Sequence, residues 1–273
     1  MSVGADNTLE SVRAIYSGAE GELWELLMGQ QIHIGGFKAT MDLAERAQIA
    51  VGQRGVDLCG CNGAGMRVLV RFRGVAAMTG VDATKAVIER GNERCWSEGV
   101  SEQVRFIHGD ACATGLPGGA ADFVWSEDAW CYVFDKARLI SEAVRVVKSD
   151  GTIAFTDWIS GTVAMTAEEA DRFLRFMKFP NIQNVEGYRD LLESEGCTVM
   201  IEEDKGAFCA LCRSLSRNGR QTTDVRCAAD SRFRHQRDGH DRCRDDISAG
   251  SSARRQNRAG AIHSAQAIIQ APH

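Results

Sequence analysis

No run of apolar residues in the 273-residue sequence approaches the roughly 18–20 residues that a helix needs to span a bilayer. The first residues, MSVGADNTLESV, also lack the basic segment followed by an apolar segment that is typical of a secretory signal. These two absences predict a cytoplasmic protein that has no membrane partner.

Cysteine pairs at the spacing of a zinc site are lacking as well. The ten cysteines are scattered, and the length of the chain argues against the disulfide framework of a small secreted domain. The single CxxC, Cys209 to Cys212, lies in GAFCALCRSL, which alternates like a strand, and no second pair accompanies it. We therefore expect strand cysteines here and no metal site.

Lysine and glutamate are missing from the last part of the chain. From Ser216 onward there are eleven arginines and six aspartates, so residues 1–215 form an acidic body that does not favour nucleic acid. The tail has no sustained apolar period and too little apolar surface to offset chain entropy. The favoured interpretation is a disordered extension, whose abrupt change of composition would suit an altered reading frame. A basic arm for nucleic acid is the alternative.

What the chain does contain is an alternation of strands and helices. Apolar residues at three-to-four spacing predict a helix in TLESVRAIYSGAEGELWELLMG, and a second helix is predicted over about 40–50. Strands are predicted at about 55–59, 75–81, 104–108, 121–126 and 151–156, and helices at about 64–72, 83–98 and 136–147. Such alternation predicts parallel strands joined by right-handed crossovers.

The segment GYRDLLESEGCTVMIEEDKGAFCALCRSL adds one helix and two strands, and a short turn at 204–206 would make these strands antiparallel. The predicted fold class is therefore α/β: a doubly wound, mostly parallel seven-stranded sheet that ends in an antiparallel hairpin. The predicted domains are an N-terminal helical lid at 1–50, the sheet domain at 51–215 and the tail at 216–273.

Acidic side chains stand at successive strand ends, where open α/β sheets bind their ligands. Asp57 lies in the first strand of VDLCGCNGAG, Asp82 ends the second strand, and Asp110 follows the third. The stretches WSEDAW and FTDW end the fourth and fifth strands. Small residues in the first loop let the backbone approach a ligand, and the carboxylates can accept hydrogen bonds from ribose hydroxyls and an adenine amino group. This series predicts a site for an adenosine-containing molecule.

The acid that leads the first loop opposes a pyrophosphate and suits an amino group, so the pattern disfavours a dinucleotide. The pattern resembles class I S-adenosylmethionine-dependent methyltransferases, which have a Rossmann-like fold, over about residues 8–215. On that pattern three glycines are expected at positions 59, 61 and 63, where this chain has Cys59, Cys61 and Gly63. The resemblance implies S-adenosylmethionine as cofactor, bound by Asp57, Cys59, Gly60, Cys61, Gly63, Asp82, Ala83, Asp110, Ala111, Ser126, Glu127 and Ile34.

A closer likeness is to enzymes that methylate small amines. MGQQIHIGG and WSEDAW resemble the lid and the S-x-D-A sequence of phosphoethanolamine and of glycine, sarcosine and dimethylglycine methyltransferases. The resemblance implies that Asp128 holds a cationic amine and that Tyr16 belongs to a catalytic dyad. Its second member is Tyr132, at the place of a histidine. Lys178 falls near a basic phosphate anchor, and Phe179 stands where a tyrosine would bind phosphate.

The predicted function is N-methylation of a small amine, either sarcosine- or dimethylglycine-like or phosphoethanolamine-like, by a monomer or homodimer. Two alternatives remain open at this point. One is a methyltransferase for a larger natural-product or lipid substrate. The other is a catalytically silent cofactor-binding module, because the Cβ atoms of Cys59 and Cys61 disfavour a positive φ.

Overall fold

The computed structural model describes residues 9–18, 21, 25, 30–166, 168, 172, 174, 177–180, 182–207 and 258–272. Six helices lie in these ranges: α1 (Leu9–Ser17), α2 (Gly36–Arg46), α3 (Ala64–Val68, continued by a π-helical turn at Leu69–Arg73), α4 (Lys85–Ser97), α5 (Lys136–Val146) and α6 (Val185–Ser194). The strands are β1 (Arg54–Leu58), β2 (Ala77–Asp82), β3 (Val104–His108), β4 (Ala121–Glu127), β5 (Val147–Thr166), β6 (Thr198–Ala207) and β7 (Arg258–Gln270).

The strands form one seven-stranded sheet in the order β3-β2-β1-β4-β5-β7-β6. Its first five strands pair in parallel, whereas β7 pairs antiparallel with both β5 and β6. This confirms the predicted mostly parallel sheet with an antiparallel pair at its end.

Two hydrophobic clusters pack on the sheet. Phe123 and Trp125 of β4 belong to a cluster with α2 and α3, and the intervening Val124 belongs to a second cluster with α5 and α6. Successive side chains of a strand point to opposite faces of the sheet. Helices therefore cover both faces, as the doubly wound prediction requires.

The prediction for the end of the sheet was wrong in two places. β6 continues through residues 204–206, where a turn was expected, and the seventh strand is Arg258–Gln270, inside the tail expected to be disordered. Ile269 packs in one cluster and the neighbouring Ile268 in the other, so this strand is buried on both faces. Averaging composition over the whole arginine-rich tail hid this short apolar stretch. Cys209 and Cys212 lie outside the described residues.

The lid region differs from its prediction in register. The helix expected over 40–50 is observed at Gly36–Arg46, and it ends before Gln48, whose φ of 54° is incompatible with a continuing right-handed helix. Of the predicted first helix, the structure describes Leu9–Ser17 as helical. In the described ranges there is no helix long and apolar enough to cross a membrane.

Candidate active site

A cavity opens at the carboxyl ends of β1, β2 and β4, with α1 and residues Ile32 and His33 across it. Its empty volume is about 880 Å³, a figure that includes open solvent at its mouth. Ten of the predicted site residues line it: Tyr16, Asp57, Cys59, Gly60, Cys61, Asp82, Ala83, Glu127, Asp128 and Tyr132.

The other five predicted residues lie around the cavity, outside its described lining. Gly63 starts α3 with a φ of 71°, and Ile34 donates its backbone N–H to Asp128 Oδ2 at 2.8 Å. Asp110 is exposed and accepts the N–H of Cys112 at 2.8 Å, and the adjacent Ala111 is buried in the core. Ser126 is fully buried in β4.

The first loop keeps the backbone of a glycine loop although two of its positions hold cysteine. Cys59 has a φ of 70° and Cys61 a φ of 47°, in the left-handed region that residues with a Cβ avoid. Gly60 lies between them, and a Cβ there would stand 3.3 Å from Asp57 Cγ and from Gly80 Cα. The loop therefore has the expected shape, at the expense of strain at the two cysteines.

Replacing both cysteines by glycine should relieve this strain. We expect the Cys59→Gly, Cys61→Gly double variant to gain about 1 kcal/mol in the free energy of unfolding, because the relief of left-handed strain slightly exceeds the added entropy of the unfolded chain. Denaturant unfolding measures the gain. Cys95→Gly is the matched control: Cys95 is a buried residue inside α4, so its replacement should destabilise the protein. If the double variant lost as much unfolding free energy as Cys95→Gly, the strain at Cys59 and Cys61 would be contradicted.

Two backbone N–H groups hold the carboxylate of Asp82 in place. Its Oδ1 accepts the N–H of Thr84 at 2.8 Å and its Oδ2 accepts the N–H of Cys61 at 2.9 Å. Burial raises the pKa of this carboxyl group, and the two backbone donors oppose part of that rise. Each oxygen keeps a further lone pair, so Asp82 can accept hydrogen bonds from a diol in the cavity.

Asp57 is buried, and its Oδ1 has no hydrogen-bond partner within the described structure. Burial raises its pKa well above the usual range, and the nearby Glu127 and Asp82 raise it further. A buried carboxylate without a partner is costly, so a cationic group from a ligand would stabilise it.

Asp128 connects the fourth strand end to the lid. Its backbone adopts a φ of 52°, its Oδ2 accepts from Ile34, and its buried Oδ1 has no hydrogen-bond partner in the described structure. Burial raises the pKa of its carboxyl group. The side chain is thus fixed by one oxygen, and the other oxygen remains to accept from a ligand.

His33, between α1 and α2, is a buried residue. It is 6% exposed, its Nε2 lies 3.1 Å from Thr40 Oγ1, and the same atom lies 3.5 Å from Glu127 Oε1. Glu127 therefore contacts the lid as well as the cavity. Burial raises the pKa of the Glu127 carboxyl group.

Tyr16 and Tyr132, the two tyrosines of the predicted dyad, are in contact. The Tyr16 hydroxyl donates to the Tyr132 oxygen at 2.9 Å, and the two rings meet edge to face with centroids 5.5 Å apart. Burial raises the pKa of both phenols, so both stay protonated at neutral pH. Since Tyr132 accepts from Tyr16, its own hydrogen can be directed to a ligand.

One contact of the first loop has no signal in the sequence. Asn62 is buried, and its Nδ2 donates to Glu25 Oε1 at 3.1 Å and to the Gln30 carbonyl at 3.3 Å. Glu25 also pairs with Arg94 of α4. These partners are far apart in sequence, so only the folded structure reveals that the loop is tied to the N-terminal segment. No group of three or more potential metal ligands is found among the described residues.

Comparison with known proteins agrees with this geometry. Residues 56–155 match the family described as a methyltransferase domain. The chain is 29% identical over 171 residues to a probable tocopherol O-methyltransferase of Oryza sativa subsp. japonica, with 55% of this chain and 46% of that protein covered. It is 25% identical over 169 residues to a sarcosine/dimethylglycine N-methyltransferase of Halorhodospira halochloris, with 56% and 60% covered. The chain spans about half the length of the curated relatives it matches.

The fold is also that of solved structures. The phosphoethanolamine N-methyltransferase 2 of Haemonchus contortus, in complex with S-adenosyl-L-methionine, superposes with a TM-score of 0.73 at 16% identity, with 96% of this chain and 60% of that chain covered. The matched residues 56–155 run from β1 into β5 and include the strand ends that form the cavity. Residues 56–155 therefore match a methyltransferase domain, and the sheet that contains them has the fold of the phosphoethanolamine N-methyltransferase structure.

Proposed function

We propose that the chain transfers the methyl group of S-adenosylmethionine to the nitrogen of a small amine. The observation that carries this proposal is Asp128, whose buried Oδ1 has no hydrogen-bond partner in the described structure although Ile34 fixes its Oδ2. A carboxylate arranged in this way suits the charged N–H group of an amine.

The cavity has the groups that the cofactor needs. Asp82 can accept from the ribose hydroxyls, and Asp57, whose buried Oδ1 has no hydrogen-bond partner in the described structure, suits the cationic amino group of the methionine part. Gly60 leaves room where a Cβ would stand 3.3 Å from Asp57 Cγ. When bound, S-adenosylmethionine supplies an activated methyl group, so the protein has to position the acceptor and exclude water.

The described lining favours an amine without phosphate. It contains no lysine and no arginine, whereas phosphate is usually held by such cations. Phe179, at the place of a phosphate-binding tyrosine, is fully buried against Tyr132 and Trp158 and has no hydroxyl group. The lack of a lysine or arginine in the described lining weighs more against the doubly charged phosphate of a phosphoethanolamine-like acceptor than against the single carboxylate of a sarcosine- or dimethylglycine-like one.

The acceptor must lose a proton if it enters as an ammonium ion. Asp128 can hold the cation and receive that proton, because burial already raises the pKa of its carboxyl group. The Tyr16–Tyr132 pair stays protonated and can orient the acceptor through the Tyr132 hydroxyl group.

Asp128→Asn tests the assignment. We expect the turnover of the accepted amine to fall about 10- to 100-fold, since the amide can hold the Ile34 N–H but cannot accept the proton. Calorimetry should show nearly unchanged binding of S-adenosylmethionine. The measurement is transfer of labelled methyl to glycine, sarcosine, dimethylglycine and the ethanolamine phosphates.

Asp190→Asn, at an exposed position of α6, is the matched control and should turn over normally. Full activity of Asp128→Asn would remove Asp128 from the reaction. Absence of heat with millimolar S-adenosylmethionine in the unaltered protein would favour the silent binding module instead.

A larger lipid-like acceptor is the second candidate. The cavity is lined in part by the apolar side chains of Leu9, Val12, Val87 and Val133, and a relative in rice is named as a tocopherol methyltransferase. Methyl transfer to a prenylated hydroquinone, together with rejection of every amine, would establish this candidate and overturn the first.

A further inference from the structure

The turn that carries Asp128 and Tyr132 is fastened to two consecutive residues of β5. The N–H of Asp128 donates to the Thr156 carbonyl at 2.9 Å. Three residues later, the N–H of Cys131 donates to Asp157 Oδ1, also at 2.9 Å. Both ends of the turn therefore depend on the same short piece of strand.

Asp157 sits at the centre of a buried polar network. Its side chain is fully buried, and its Oδ2 accepts from the Tyr188 hydroxyl of α6 at 2.5 Å. Lys136, at the start of α5, is 2% exposed and donates through Nζ to the Val133 carbonyl, the residue after Tyr132. The charged or titratable groups facing Asp157 are Lys136, Tyr188, Cys131 and Asp128.

Aromatic packing makes this network rigid. Trp130 is fully buried and stacks on Phe155, with ring centroids 4.2 Å apart. The Tyr188 ring also packs on Phe155, with centroids 5.1 Å apart. Phe179 packs edge to face with the ring of Tyr132, and the two ring centroids are 5.1 Å apart. With these rings in contact, a change at Asp157 cannot be absorbed locally without moving the turn.

We infer that Asp157, with Tyr188 and Lys136, is a positioning residue that sets where the Tyr132 hydroxyl and the Asp128 carboxylate stand in the cavity. The inference rests on the proposed function in that these two groups receive the acceptor. Asp157 does not line the described cavity and acts through the Cys131 N–H.

Burial explains why the network carries charge of both signs. It raises the pKa of Asp157 to about 6, and the nearby Lys136 opposes that rise. Burial lowers the pKa of Lys136 in turn, and Asp157 opposes that fall. Near neutral pH the carboxylate is ionised and holds the Cys131 and Tyr188 donors strongly.

Asp157→Asn removes the charge of the buried carboxylate and keeps the shape of the side chain. We expect kcat to fall on the order of 10- to 100-fold, because small displacements of positioning groups have effects of that size, while KM for S-adenosylmethionine stays within about 2-fold. In a background that carries both Tyr132→Phe and Asp128→Asn, the same substitution should have less than a third of its effect, since both groups through which Asp157 acts are then altered. Equal effects in both backgrounds would overturn the role.

A second readout needs no methyl acceptor. The chain has three tyrosines, so carbon-13 labelling of the tyrosine Cζ gives three resonances that Tyr→Phe variants assign. Asp157→Asn should shift Tyr188 directly and Tyr132 through the turn. A Tyr132 resonance that stays in place in a folded variant would refute the inference, even if no amine proves to be a substrate.

Asp122→Asn is the matched control. Asp122 also accepts a backbone N–H, that of Arg54 at 2.7 Å, and pairs with Lys148 at 2.6 Å, but it lies at the opposite end of β4 from the cavity. It should leave kcat and the Tyr132 resonance unchanged. A loss of kcat in Asp122→Asn equal to that in Asp157→Asn would show that any disturbed sheet carboxylate suffices, and would overturn the specific role.

Discussion

Asp82→Ala should weaken the binding of S-adenosylmethionine by more than 100-fold. Hydrogen bonds to a charged acceptor contribute about 1.5–3 kcal/mol each, and the side chain can accept from two ribose hydroxyls. The substitution also removes the acceptor of the Cys61 and Thr84 N–H groups, so the loop loses the bonds that hold its shape. Isothermal titration calorimetry measures the loss.

Asp110→Ala provides the comparison. Its place after the third strand predicts that Asp110 contacts the adenine, whereas the structure leaves it exposed and outside the described cavity lining, with its carboxylate accepting the N–H of Cys112. We expect its loss to weaken binding by about 5-fold or less. If both variants lost the same affinity for S-adenosylmethionine, the adenine site would extend beyond this cavity to Asp110. An unaffected Asp82→Ala would contradict the placement of the ribose.

Binding of S-adenosylmethionine should release protons and strengthen as the pH rises. Besides Asp128, which is assigned to the acceptor, three carboxyl groups line the cavity, and burial raises the pKa of each: Asp57, Asp82 and Glu127. A ligand with a sulfonium and an ammonium group favours their ionised forms, which lowers these pKa values and displaces the protons. The affinity should therefore change by about 10-fold per pH unit for each proton displaced.

The pH dependence of folding stability has the opposite sign to that of binding. A carboxyl group whose pKa is raised by folding stabilises the fold at low pH, and this contribution is lost as the pH rises through the raised pKa.

Calorimetry between about pH 5 and pH 8, in buffers of different ionisation enthalpy, counts the protons that S-adenosylmethionine displaces when it binds. Asp57→Asn should reduce the slope by about one proton, and S-adenosylhomocysteine, without the sulfonium charge, should give a shallower slope. Affinity that does not depend on pH would contradict the linkage.

The sequence predicted those parts of the site that local pattern determines. Asp57 lies near the end of one short apolar strand, Asp82 ends the next and Asp128 follows a third, and a parallel sheet brings the carboxyl ends of such strands to one edge. The loop shape could be predicted from spacing, even though Cys59 and Cys61 replace glycine. The contact of Tyr16 with Tyr132, 116 residues apart, came from resemblance and is present in the structure.

What the sequence did not predict depends on contacts between distant residues. The burial of His33 results from Thr40 and Glu127 closing around it, and the role of Asn62 requires Glu25 to lie nearby. The seventh strand was missed because the alternation in Ser264–Gln270 is too short to stand out within an arginine-rich tail. Its place becomes evident only when β5 and β6 supply the two edges between which it fits.

The position of β7 has a consequence for synthesis of the protein. β6 joins the sheet through β7, yet residues 208–257 separate the two strands along the chain. A ribosome therefore exposes β5 and β6 with unpaired edges long before the strand that joins them has emerged. During that interval the nascent chain is open to pairing with other chains, so its yield in cells should depend on translation speed and chaperone supply.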